Sequence, residues 1–182
     1  MTAAGGAMTK AGDASIHASA VLVGNRAVLI RGPSGSGKSR LAFDLILAGR
    51  AGQIAPAMLI GDDRVHIEAS AGQLTVRPTP ALAGLIEIRG LGIRRCDFVQ
   101  AAVVGLLVDL DAADAARLPP PEALTVQLLG IKIPRIPVGI GYEARPLVIA
   151  ALTMTASSSF TQPSADCSKG IGNHITPTIA TE

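Results

Sequence analysis

Eight consecutive residues, Gly32, Pro33, Ser34, Gly35, Ser36, Gly37, Lys38 and Ser39, spell G-x-x-x-x-G-K-S, the pattern of a phosphate-binding loop. The chemistry is anion capture. The glycines let backbone N–H groups turn inward, and the helix that follows aims the positive end of its dipole at the same point. Lys38 adds a mobile cation for the outer phosphates. The Ser39 hydroxyl is suited to Mg²⁺, so the loop predicts a nucleoside triphosphate with Mg²⁺. The flanks agree. Ala27 to Ile30 is a short apolar run of strand type, and Arg40 to Ala48 reads as a helix with Gly49 as its C-cap.

Phosphoryl transfer also needs an acid for the metal and a group that orients or deprotonates the acceptor. Three places supply carboxylates. Asp62 and Asp63 follow the short strand Met58–Ile60, and two adjacent carboxylates repel unless a cation is near. Glu87 stands between two isoleucines and so points to the opposite face of a strand. Asp109 closes the apolar run Val103–Val108 in the manner of a Walker B strand, and spacing alone favours it as the Mg²⁺ acid. Arg89, Arg94 and Arg95 cluster after Glu87, either as a phosphate or carboxylate clamp or as a solvated basic face. His66 reads as a surface residue.

The elements that must position these groups are short strands and tight turns. Ala18–Val23 and Arg26–Arg31 flank Gly24-Asn25, a two-residue hairpin signal. That turn pairs Val23 with Arg26 and Ala20 with Leu29. Carried further, it sets His17 opposite Gly32, at the entry of the phosphate loop. Val65–Ala69 and Gln73–Arg77 form a second hairpin around Ala71-Gly72, and Leu85–Arg89 and Phe98–Leu110 read as strands. Ala112–Arg117 and Ala123–Leu129 read as short helices, the latter capped by Gly130. Ile131–Val138 reads as an edge strand because of Pro134 and Pro137. Leu147–Leu152 reads as a last strand or short helix. The helix after the loop is apolar nearly all round and is expected to be well buried. Antiparallel hairpins beside a phosphate loop predict an α/β domain with a mixed, partly antiparallel sheet. Its expected limits are residues 15–152, after a flexible lead (1–14) and before a disordered Ser/Thr-rich tail (153–182).

Composition narrows the function classes. The chain has 182 residues, a net charge of +2 and only 2% aromatic residues. A weak positive field and few stacking platforms argue against a polynucleotide ligand. Cys96 and Cys167 stand far apart in no metal-ligand spacing and predict a reduced, cytoplasmic protein. No apolar run has the length of a membrane span.

Several of these segments together resemble the catalytic, C-terminal domain of HPr kinase/phosphorylase. They are His17-Ala-Ser-Ala, Gly32–Ser39, Gly61-Asp62-Asp63-Arg64-Val65, Ile86-Glu87-Ile88-Arg89-Gly90-Leu91-Gly92-Ile93 and Leu129-Gly130-Ile131-Lys132-Ile133-Pro134. The likeness runs over residues 15–152 and implies a short form without the separate N-terminal domain of longer members. It implies a phosphate-loop kinase fold similar to phosphoenolpyruvate carboxykinase, commonly hexameric. The implied activity is ATP-dependent phosphorylation of a serine of HPr, the small phosphocarrier of the sugar phosphotransferase system, with a phosphate-dependent reversal at the same site. Residue by residue, Asp63 matches the acid that takes the serine proton, with Asp62 beside it. Ser39 and Glu87 match Mg²⁺ ligands. His17, Lys38, Arg89 and Arg117 match catalytic positions, and Asp109 falls to a structural role.

Two segments depart from the family pattern. The Pro-Val-Arg-Pro-Gly-Arg stretch that the family ties to dephosphorylation is here Pro137-Val138-Gly139-Ile140-Gly141-Tyr142, without either arginine. The helices that engage HPr are replaced by the Ser/Thr-rich tail. The alternatives are therefore a small-molecule kinase on this scaffold, or a nucleotide-binding regulator that docks on HPr without catalysis.

Overall fold

The computed structural model describes residues 13–155. Most of the expected lead and tail lies outside the described residues. Within them, Asp13 already begins a strand and Thr153 still belongs to a helix. The elements in chain order are β1 (Asp13–Ile16), β2 (Ser19–Val23), β3 (Arg26–Arg31), α1 (Lys38–Arg50), β4 (Ala57–Gly61), β5 (Val65–Ser70), β6 (Gln73–Pro78), β7 (Leu85–Ile88), β8 (Gly92–Arg95), β9 (Ala102–Leu110), β10 (Thr125–Leu128), β11 (Ile131–Val138) and α2 (Ala144–Thr153).

Nine strands form one mixed sheet, ordered β1-β5-β6-β9-β3-β2-β4, with β11 and then β10 joined through β9. The pairs β3/β9 and β9/β11 are parallel and the other pairs of this sheet antiparallel. The expected mixed α/β architecture is the one observed. β7 and β8 make a separate two-stranded ribbon.

Strand periodicity explains the core. Val28, Ile30 and Val108 point to one face, where Leu41, Leu45 and Ile46 of α1 and Val148 of α2 cover them. Leu29 and Leu107 point to the other, where Val65, Ile67, Leu74 and Val76 of the β5/β6 hairpin close over them. β3 and β9 are thus buried on both faces, so their sequences read as unbroken apolar runs.

Local turn chemistry set the hairpins. Gly24 at φ 59 opens the β2/β3 turn, and the predicted pairs Val23↔Arg26 and Ala20↔Leu29 are present. The ladder ends at Ser19↔Ile30, and the chain bends at His17 instead of carrying the register on to Gly32. The prolines of β11 are accommodated because each half of that strand uses one partner, Ile131–Pro134 with β10 and Arg135–Val138 with β9.

Three local expectations are corrected. Ala123–Leu129 is a short 3₁₀ turn followed by β10. Leu129 and Gly130, at φ 47 and 80, form the tight turn into β11. Residues 112–117 form turns, not a helix, since six residues are too few to nucleate one without tertiary support. α1 runs through Gly49 to Arg50, with Ala51 as its C-cap, and it leaves Leu47 exposed rather than being buried all round.

Gly49 serves packing. A Cβ there would meet Ala57 N at 2.7 Å and Ala57 Cβ at 2.8 Å, so α1 lies directly on the β4 backbone. Helix propensity alone favours alanine by about 1 kcal/mol. The close approach reverses that sign: Gly49→Ala is expected to destabilise the fold by about 1–3 kcal/mol. Urea unfolding checks this, and an unchanged or higher midpoint contradicts it.

Candidate active site

The phosphate loop joins β3 to α1 on the helix-covered side of the sheet. Gly32 is required at its entry, because a Cβ there would lie 2.7 Å from Ser36 Oγ and 2.9 Å from Leu110 Cβ. Gly37 caps α1 in the left-handed region at φ 96, with no side chain capping the first turn and no acidic residue within it. The first N–H groups of the helix therefore remain available to an anion. Ser36 Oγ is buried and has no hydrogen-bond partner, an orphaned polar atom inside the loop itself. Such a group is costly unless a ligand completes it.

Lys38 is 6% exposed, and its Nζ folds back to donate to the carbonyls of Gly32 at 3.1 Å and Pro33 at 2.8 Å. Burial pushes this ammonium below its ordinary value of 10.5, while the carboxylates of Asp62 and Asp63 push it up. A lysine that feels both aspartates places the end of β4 beside the phosphate loop.

The two aspartates have opposite environments. Asp62 is 3% exposed. Its Oδ1 accepts from Ser19 Oγ at 2.5 Å and its Oδ2 from the Glu87 backbone N–H at 3.0 Å. One buried carboxylate thus fastens β2, the end of β4 and β7 together. Asp63 takes the left-handed region at φ 65, which turns its side chain outward, 71% exposed. His17 Nε2 lies 3.3 Å from Asp63 Oδ1, so the bend that ends the β2 ladder delivers the imidazole to Asp63 rather than to Gly32. Non-glycine residues at positive φ are uncommon and cluster at functional sites.

The structure therefore brings His17, Lys38, Asp62 and Asp63 together, with the Glu87 backbone attached. Ser39 sits in the first turn of α1, and the Glu87 side chain is exposed on β7. Arg89, on the β7/β8 turn, and Arg117, in the segment after β9, are exposed and stand outside the contacts that join those four residues. Among the described residues no three His, Cys, Asp or Glu side chains form a metal cage. A Mg²⁺ ion held chiefly by phosphate oxygens needs only one or two protein ligands, and the Ser39 hydroxyl and one carboxylate fit that demand.

Both oxygens of Asp109 are engaged by guanidinium groups. Oδ1 accepts from Arg31 Nε at 2.8 Å, while Oδ2 accepts from Arg31 Nη2 at 2.8 Å and Arg135 Nε at 2.6 Å. The Walker B reading from spacing is corrected: this acid belongs to two guanidinium groups. Sequence reasoning missed Ser19, the partner of Asp62, whose role depends on strand order. It also missed Arg31, which becomes legible only once β3 and β9 are known to run parallel with Arg31 opposite Asp109.

The buried network around Asp62 makes a sharp stability test. Asp62→Ala leaves the Ser19 hydroxyl and the Glu87 N–H without their partner and is expected to cost about 1–3 kcal/mol in chemical denaturation. Adding Ser19→Ala to that variant is expected to cost less than Ser19→Ala alone in wild type. Strictly additive effects would contradict the shared bond.

Residues 9–165 match the family described as the HPr Serine kinase C-terminal domain. The HPr kinase/phosphorylase of Enterococcus faecalis is 36% identical over 160 residues, covering 79% of this chain and 49% of that protein. That of Mycoplasma mycoides subsp. mycoides is 40% identical over 77 residues, covering 42% of this chain and 22% of the relative. The chain thus spans about half the length of these curated relatives or less. Among solved structures, the Hpr(Ser) kinase/phosphatase from Coxiella burnetii aligns with a TM-score of 0.61 at 28% identity, over 76% of this chain and 93% of that one.

Proposed function

Since this chain belongs to the HPr serine kinase C-terminal domain family, we propose that it transfers the γ-phosphoryl group of ATP to a serine of HPr. The observation that carries this reading is the meeting of Lys38, Asp62, Asp63 and His17 beside a phosphate loop that holds an orphaned serine hydroxyl.

In this reading the loop N–H groups, Ser36 and Lys38 hold the triphosphate, Lys38 exchanging its two carbonyl partners for phosphate oxygens. Asp63 is the exposed member of the pair and meets the acceptor. It takes the proton of the serine hydroxyl as the new O–P bond forms. The bond from the γ-phosphorus to the bridging oxygen breaks, and ADP leaves with that electron pair. Asp62 is spent on structure and keeps Asp63 and Glu87 in place. His17 orients the Asp63 carboxylate. Ser39 and Glu87 would hold Mg²⁺, which when bound would offset the charge on the phosphate oxygens. Arg89 and Arg117 approach the phosphates from the ribbon turn and from the segment after β9. Most of the rate comes from positioning and electrostatics.

The proposed reaction runs in the kinase direction, because the 137–142 stretch offers no arginine for inorganic phosphate. Assembly of several copies belongs to the same proposal. Leu91 and Ile93 are exposed on the ribbon, and a covered face accounts for them. A cytoplasmic location follows from the proposed partner. Among the described residues no helix is long and apolar enough to cross a membrane.

Asp63→Asn is expected to lower serine phosphorylation of HPr by about 10²–10⁴-fold while ATP affinity holds within about twofold. Mass spectrometry of HPr and a nucleotide titration check the two halves, and full activity in the variant removes Asp63 from the mechanism. Tight HPr binding with no phosphoserine from the wild-type chain favours instead a docking regulator. The lowered Lys38 value gives a pH test. As pH rises, the ammonium is lost before the ordinary 10.5 is reached, so ATP affinity is expected to decline below that pH. Affinity that stays flat up to 10.5 contradicts it.

A further inference from the structure

Asp109 is the centre of a chain of alternating charges that the reaction scheme leaves unused. From Asp109, Arg135 continues outward. Its Nη1 and Nη2 grip both oxygens of Asp114 at 2.6 and 2.9 Å, and Nη1 also donates to the Ala123 carbonyl at 3.0 Å. The order is Arg31, Asp109, Arg135, Asp114, two cations and two anions. Arg31 and Asp109 face each other across parallel strands, and Arg135 enters from β11, which pairs with β9 on its other side.

This is not an ordinary surface ion pair. The side chains of Arg135 and Asp109 are 12% and 14% exposed. Planar forks fix direction as well as distance. At this central pair water is largely excluded, so losing either Asp109 or Arg135 leaves a buried charge uncompensated. The guanidinium of Arg135 also holds the Asp114 carboxyl below its usual range.

The ends of the chain matter most. Arg31 immediately precedes Gly32, whose carbonyl receives Lys38. At the far end, Asp114 and Ala123 bracket the segment that carries Arg117. One rigid network therefore ties the entry of the phosphate loop to both sides of that segment. Residues 112–117 form no helix or strand of their own, so the grip of Arg135 supplies order that local structure does not.

We infer that the Arg31–Asp109–Arg135–Asp114 chain is a positioning device that holds the entry of the phosphate loop and the Arg117 segment at a fixed separation. The inference rests on the kinase reading, and its two ends predict different kinetic signatures.

Arg31→Lys keeps the charge and loses the fork at the loop end. Asp114→Asn alters an acid whose side chain is 53% exposed, at the segment end. Each is measured in the full chain by thermal melting, by titration with a fluorescent ADP analogue, and by the initial rate of HPr phosphorylation at saturating Mg-ATP. Arg31→Lys is expected to weaken nucleotide binding about tenfold. Asp114→Asn is expected to leave binding within about twofold and to lower kcat about tenfold, as misplacement of a positioned group does. Equal effects of the two variants on both quantities, or no effect on either, overturn the inference. A wild-type chain that binds nucleotide but never phosphorylates HPr defeats the kinase reading instead. The loop end is then still decided by Arg31→Lys, where unchanged ADP affinity overturns the positioning role and a tenfold loss supports it.

Discussion

The site depends on one buried carboxylate. Asp62 lies almost wholly out of water with Lys38 nearby, and both its oxygens are committed to Ser19 and to the Glu87 backbone. A charge that deep is tolerable only when it is paired and hydrogen-bonded. Satisfying it forces β2, β4 and β7 to meet beside the phosphate loop. Asp63 follows in the next position, turned outward by its positive φ. The adjacent pair thus divides its labour: one member structures the site and the other faces the solvent through which a substrate arrives.

The electrostatics follow the same logic. Lys38 is desolvated yet flanked by two carboxylates, and without a ligand it satisfies itself on loop carbonyls. The loop holds further unspent capacity in the Ser36 hydroxyl and the first N–H groups of α1. A second charged network, around Asp109, sits on the opposite face of the sheet from α1. The acid that ends β9 is withdrawn from metal chemistry by two arginines, so the carboxylates available near the loop are those of the β4 end and β7.

Much of this was legible in the sequence where the signal is local. The phosphate loop, the β2/β3 and β5/β6 hairpins and the strand before Asp62 are each announced by turn residues and short apolar runs. Register arithmetic from Gly24-Asn25 held as far as Ser19. It failed at His17 because a bend carries the chain away to pair with β5, a tertiary event that no turn rule encodes. Residues 123–129 read as helix but fold as a turn and a strand, because an apolar run that short fits either period. Leu129 in a left-handed turn carries no warning, since glycine or asparagine is the usual signal there. Gly49 looked like a cap because the β4 backbone that demands it is absent from a one-dimensional reading. Asp109 looked like a metal acid because its arginine partners stand 78 residues before it and 26 after it.

The most direct test of the central claim is a crystal structure of the full chain with a non-hydrolysable ATP analogue and Mg²⁺. The account predicts the triphosphate wrapped by residues 32–39, Lys38 Nζ moved from the loop carbonyls to the outer phosphates, and the Asp63 carboxylate facing the γ-phosphate with His17 still beside it. A triphosphate bound elsewhere, or Lys38 still on the Gly32 and Pro33 carbonyls with Asp63 turned away, would contradict it.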